Sequence, residues 1–96
     1  MPAARVAIGT VELHLPDVES LKAKRHALKG LKERLRRQFE ISVAEVDHHD
    51  AWQRATLAMA CVSGDSRHAN EVISKAMEYL EDHVDGYVTD IQVEIL

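Results

Sequence analysis

The chain has 96 residues, is 46% hydrophobic and 29% charged, and carries a formal net charge of −4. That length suits one domain spanning 1–96 with a modest core that needs neither staples nor metal. The lone cysteine, Cys61, excludes an intrachain disulfide, no apolar run approaches the roughly 18 residues of a membrane span, and net acidity argues against a general nucleic-acid-coating protein.

Arg5 to Leu15 reads as the first strand. It is apolar on both faces early (Val6, Ala7, Ile8) and alternates later (Val11, Leu13, Leu15 against Glu12, His14), which suits a central strand. The N-terminal sequence MPAARVAIGTVELHL enters this pattern without a long apolar segment or cleavage site, so no secretion signal is expected. A reducing, cytoplasmic location fits that and the single cysteine. Pro16 and Asp17 close the strand.

Ser20 to Phe39 is an amphipathic helix with Ser20 as its N-cap. Leu21, Leu28, Leu31, Leu35 and Phe39 recur at helical spacing on one face. Along one flank run Lys22, Arg25, Lys29, Lys32 and Arg36, spaced so that they stack into a ridge. From Lys22 to Arg37 the local charge is +7, and the rest of the chain carries −11. Gly30 is placed on the solvent side, where it costs about 1 kcal/mol relative to alanine.

Glu40 to Val46 is a short second strand, with a slip in alternation between Val43 and Ala44 that predicts a bulge. A polar connection, Asp47 to Arg54, holds one large aromatic. Ala55 to Ser63 is apolar on both faces and reads as a second central strand. Gly64, Asp65 and Ser66 end it and cap a second helix, with Ala69, Val72, Ile73, Ala76 and Leu80 inward and Glu71, Glu78, Glu81 and Asp82 outward. Asp85-Gly86 is a stop signal. Tyr87 to Leu96 alternates cleanly, Tyr87, Thr89, Ile91, Val93 and Ile95 against Val88, Asp90, Gln92 and Glu94, as an edge strand with one wet face does.

The order is βαββαβ, an α+β, ferredoxin-like arrangement. Its antiparallel sheet is expected in the order 4-1-3-2, with both helices on one face. The two strands with apolar residues on both faces are the two that this topology makes central.

Along nearly its whole length the chain also resembles a known family. The segments VELHLPDVESLKAKR (11–25) and VAEVDHHDAWQRATLAMACVS (43–63) are similar to those of the YlxP-like proteins, a bacterial domain of unknown function. The resemblance implies a ferredoxin-like fold, a cytoplasmic bacterial protein, and a gene neighbourhood near translation initiation and ribosome-maturation factors. It brings no established activity and no catalytic residues.

Three constellations carry chemistry. The ridge of Lys22, Arg25, Lys29, Lys32 and Arg36 rises over roughly 20 Å, enough to meet several phosphates of an RNA. Its bland counterpart is a solvated helix face, or one that pairs with the acidic back of the second helix in another copy. Specific base readout is not expected, because aromatics are 4%, the strands lack an exposed aromatic pair and no GXXG loop is present.

The second is the loop surface of Asp47, His48, His49, Asp50, Trp52 and Arg54. Imidazole and carboxylate are metal ligands, yet neighbours on a strand end point to alternating sides and do not converge. A turn is the plainer reading, with Asp50 ordering the loop, Trp52 packed over it and Arg54 paired with Asp47 or Asp50. The third is the helix-free sheet face, where Thr10, Glu12 and His14 are joined by Asp90, Gln92 and Glu94. Glu12 and His14 could do acid–base work, but a solvated or dimer-buried face is the simpler reading. Cys61, in a central strand, reads as core filler.

The expected function is a non-enzymatic binding module touching RNA or the ribosome through the first helix. No catalytic residue, cofactor or resident metal is expected. The alternatives are a homo-oligomeric module using the open sheet near Ala58 and Ala60, and an enzyme using Glu12, His14, His48 and His49 with a metal.

Overall fold

The computed structural model describes residues 3–96. Strand β1 (Arg5–His14) is followed by helix α1 (Leu21–Phe39), strands β2 (Ser42–Asp47) and β3 (Arg54–Ser63), helix α2 (Ser66–His83) and strand β4 (Tyr87–Ile95). The sheet is antiparallel in the order β2-β3-β1-β4. The expected ferredoxin-like α+β topology is therefore the observed one, and the two central strands are those with apolar residues on both faces.

Both helices lie on one face of this sheet, α2 over β1 and β3, α1 over β2. Alternation within the strands sets that face. Ala7, Val11 and Leu13 of β1 and Ala55, Leu57, Met59 and Cys61 of β3 are buried there. From the helices come Leu28, Leu31 and Leu35 of α1, and Ala69, Ile73, Ala76, Met77 and Leu80 of α2. Val72, expected among the inward residues, is half-buried at the margin, and Met77 takes the deeper place.

α2 approaches β1 closely because Gly9 has no side chain. A Cβ there would collide with Met77 Cε and stand 2.8 Å from Ile73 Cγ2. Local signals fix the helix ends. Ser20 Oγ accepts from the Ala23 N–H at 3.0 Å, and Asp65 Oδ1 accepts from the Arg67 N–H at 3.0 Å. Glu40 ends α1 in the left-handed region, φ 50°, its N–H donating to Arg36 O.

Two irregularities depart from the sequence reading. The slip in β2 falls later than expected, between Glu45 and Asp47 rather than at Val43 and Ala44. A second register shift, at Glu12/Leu13 opposite Asp90 and Val88, breaks the alternation of β4. Beyond it Val88 turns towards the core. Tyr87 is 65% exposed and stacks on His14 with ring centroids 6.4 Å apart. Ile91, Val93 and Ile95 stay 40–45% exposed, because α2 only partly covers this edge.

Candidate functional site

The basic residues of α1 divide by helical phase into faces with different fates. Lys22, Arg25, Lys29 and Arg36 are exposed and Lys32 is half-buried. Among the described residues, none of these five has a carboxylate within 4.0 Å. Arg36 is the member tied to the fold. Its Nη2 donates to Val43 O at 2.6 Å and fastens the end of α1 to β2, leaving the other guanidinium donors outward.

Lys24 behaves differently. It is 1% exposed and stands four residues before Leu28, within the apolar stripe. Its ammonium donates to His48 O at 2.6 Å and Ala51 O at 2.8 Å, and lies 2.7 Å from Glu45 Oε2. Two carbonyls accept the ammonium's protons and Glu45 balances its charge, although Glu45 Oε2 itself, buried, lies outside hydrogen-bond geometry. Glu45 reaches Lys24 because its register partner is the core residue Leu57, so both look towards the helices. This clamp, which docks the β2–β3 loop onto the first turns of α1, was not part of the sequence reading. Its signal was the phase of Lys24, which at helical spacing falls between Leu31 and Leu35.

The loop itself is ordered by other contacts than those expected. Asp47, not Asp50, accepts a backbone N–H, from His48 at 2.7 Å. His48 adopts the left-handed conformation, φ 60°, and its carbonyl also accepts the Ala51 N–H. His49 Nε2 donates to Glu45 O at 3.0 Å. Arg54 pairs with neither Asp47 nor Asp50; its Nη2 donates to His48 Nε2 at 3.2 Å. Trp52, expected to pack over the loop, is 53% exposed. Gln53 anchors the far end, donating to Pro16 O and Val18 O.

On the open sheet face, Glu12 lies across from Thr56, whose hydroxyl donates to the carboxylate at 2.9 Å. The imidazole beside Glu12 is that of His48, at 3.8 Å, rather than His14, which is turned to Tyr87. Among the described residues, no three His, Cys, Asp or Glu side chains converge so as to hold a metal ion. Asp90 and Gln92 extend this polar end, as the register Glu12↔Asp90 and Thr10↔Gln92 requires. Further along, Ile8, Ala58, Ala60 and Ala44 form a small-residue apolar surface. Cys61 is buried in the core cluster. No helix among the described residues is long and apolar enough to cross a membrane.

The arrangement thus offers one unpaired cationic row, one ordered polar loop beside it, and an open sheet. Among solved structures, a C-terminal segment of the alpha subunit of aIF2 from Pyrococcus abyssi superposes with a TM-score of 0.54 at 15% identity. The match covers 97% of this chain and 49% of that one. A designed protein with a ferredoxin fold, LFR1 1, superposes with a TM-score of 0.51 at 12% identity, over 96% and 82% of the two chains. At such identities these likenesses concern the fold. In sequence, the uncharacterized protein YlxP of Bacillus subtilis (strain 168) is 26% identical over 76 residues, 79% of this chain and 83% of that protein. The family described as a protein of unknown function (DUF503) matches residues 6–93, from the first strand through the last, and the chain belongs to it.

Proposed function

We propose that the protein is a binding module that lays the α1 ridge along the phosphates of an RNA, with the ribosome as the natural place to look for it. The observation that carries this reading is the unpaired row. Lys22, Arg25, Lys29, Lys32 and Arg36 share one flank of a helix, and no carboxylate stands within 4.0 Å of any of them among the described residues. Fifteen acids lie outside Lys22–Arg37, so pairing partners were plentiful. A line of like charges left unpaired raises the local potential and draws a polyanion from solution. The loop from Asp47 to Arg54, docked by Lys24 against the same helix, adds His49, Asp50 and the exposed Trp52 as shape beside the row.

The test is binding to RNA and to ribosomal particles as salt is raised. Five phosphate contacts give a log–log slope of about −3.5 on single strands, somewhat steeper on duplex. A variant carrying Arg25→Glu, Lys29→Glu and Lys32→Glu should fold normally and lose most of the affinity. Undiminished binding by that variant would remove the proposal.

A second reading is favoured by the uncovered sheet face. Ala44, Ala58, Ala60 and Ile8 present a shallow apolar surface there, and Val62 beside them is 70% exposed. A second copy packed face to face would cover it, and this is compatible with RNA on the opposite, helical side.

A further inference from the structure

α1 carries two more cations on its other flank. At about 100° per residue, Arg34 and Arg37 lie some 100–160° round the helix from the ridge. Between that flank and the end of α2 is a cleft of about 320 Å³, within the size range of small-molecule sites. Leu15, Val18, Leu31 and Val84 give it apolar walls, and Asp17, Arg34, His83 and Asp85 give it polar ones. Arg34 also borders a neighbouring depression with Arg37, Gln38 and Tyr79.

Three independent features point to a ligand. The first is Gly30, which is half-buried and lines the cleft instead of standing on the solvent side. It has no positive φ, and a Cβ there would meet nothing within 4 Å. Neither backbone conformation nor packing explains a mid-helix glycine, so what its missing side chain provides is room. The second is a prebuilt ring platform. His83 stacks on Tyr79 with centroids 3.9 Å apart and planes 15° from parallel. Its Nδ1–H donates to Tyr79 O at 2.8 Å, and Phe39 meets Tyr79 edge-on at 5.6 Å. The exposed imidazole is held in place before anything binds. The third is charge. Neither Arg34 and Arg37 nor Asp17 and Asp85 has an oppositely charged partner within 4.0 Å among the described residues.

We propose that this cleft binds a guanine base together with its 5′-phosphate. The ring stacks against His83 in the space left by Gly30. N1–H and the exocyclic amino group, two donors on one edge, are accepted by the Asp17 or Asp85 carboxylate. The phosphate is met by Arg34 and Arg37. Pyrimidines offer a smaller ring to the platform, and adenine lacks the paired donors. The ligand is either a free nucleotide or an unpaired guanosine of an RNA. The proposal does not depend on the α1 ridge, which lies on the other flank.

The test is a titration of isotope-labelled protein with GMP, AMP, CMP and UMP, followed by amide NMR. GMP should move the resonances of Gly30, Arg34, His83 and Val84, with at least tenfold tighter binding than CMP or UMP. Gly30→Leu fills the cleft and should lower GMP affinity at least tenfold. Arg34→Gln serves the same purpose if Gly30→Leu fails to fold. The charge-reversed ridge variant should bind GMP unchanged, which separates this site from the RNA reading above. A short oligonucleotide with one unpaired guanine distinguishes the sources: tighter binding than GMP at the same resonances assigns RNA, equal or weaker binding assigns the free nucleotide. The proposal is overturned if neither GMP nor the oligonucleotide perturbs the cleft at millimolar concentration, or if the filled cleft binds as before.

Discussion

At the scale of single residues, Lys24 shows how context decides the role of a charge. It is one of eight basic residues between positions 22 and 37, yet the only one buried, and its ammonium is held inside the protein by two carbonyls and the Glu45 carboxylate. Removing one member of a buried pair leaves the other uncompensated, at about 3–5 kcal/mol. Lys24→Met should therefore lower unfolding free energy by roughly 3 kcal/mol in urea titration. The double variant Lys24→Met, Glu45→Leu should recover part of that loss, because no lone carboxylate then faces the helices. A loss below about 1 kcal/mol in the single variant would mean the clamp contributes no more than a surface pair. Gly9 makes the complementary point about volume. Gly9→Ala sets a methyl against Met77 and Ile73, so a loss of about 1–3 kcal/mol is expected from overpacking. Thermal unfolding checks it, and an unchanged midpoint would show that Met77 swings aside freely.

At the scale of elements, α1 is a helix with three uses, each set by phase. One stripe enters the core, one flank holds the unpaired row, and the other flank borders the cleft with Gly30. The glycine lowers helix propensity in the middle of a 19-residue helix. Gly30→Ala, with open space for its methyl, should raise stability by about 1 kcal/mol while beginning to fill the cleft. A destabilised Gly30→Ala would mean a packing need that the geometry does not display. Strand β4 shows the opposite case, an element whose sequence pattern is regular and whose pairing is not. The extra residue near Thr89 shifts Tyr87 away from the core-facing set, and Val88 packs in its place.

At the scale of the molecule, positive charge is gathered on α1 while the remainder is acidic, and, apart from the partly covered β4 edge, the far side of the sheet carries an apolar surface around Ile8, Ala58, Ala60 and Val62. These are separate surfaces, and they predict separable behaviour. If a second copy covers the sheet, sedimentation equilibrium at tens of micromolar should give a dimer that is insensitive to salt. Val62→Glu, at a 70% exposed position, should return it to monomer without loss of fold. Binding to RNA, by contrast, should fall steeply with salt and survive Val62→Glu. A protein that stays monomeric across that range removes the dimer and leaves the RNA reading untouched.

Composition and periodicity alone determined the six elements, their order, the cap at Ser20, a capping stretch at Gly64–Ser66 within which the structure selects Asp65, and which strands are central. Each of those depends on residues close together in the chain, or on a burial pattern that repeats along one strand. The row of cations on α1 was legible for the same reason, since helical phase is a local property. Only the tertiary structure decided what crosses between elements. Lys24 meets Glu45, His48 and Ala51 from 21 to 27 residues away. His48 rather than His14 stands beside Glu12, and Gly30 faces His83 across a cleft. Such contacts follow from strand register and helix placement, which are set by the packing of the whole core, and no window along the sequence contains both partners.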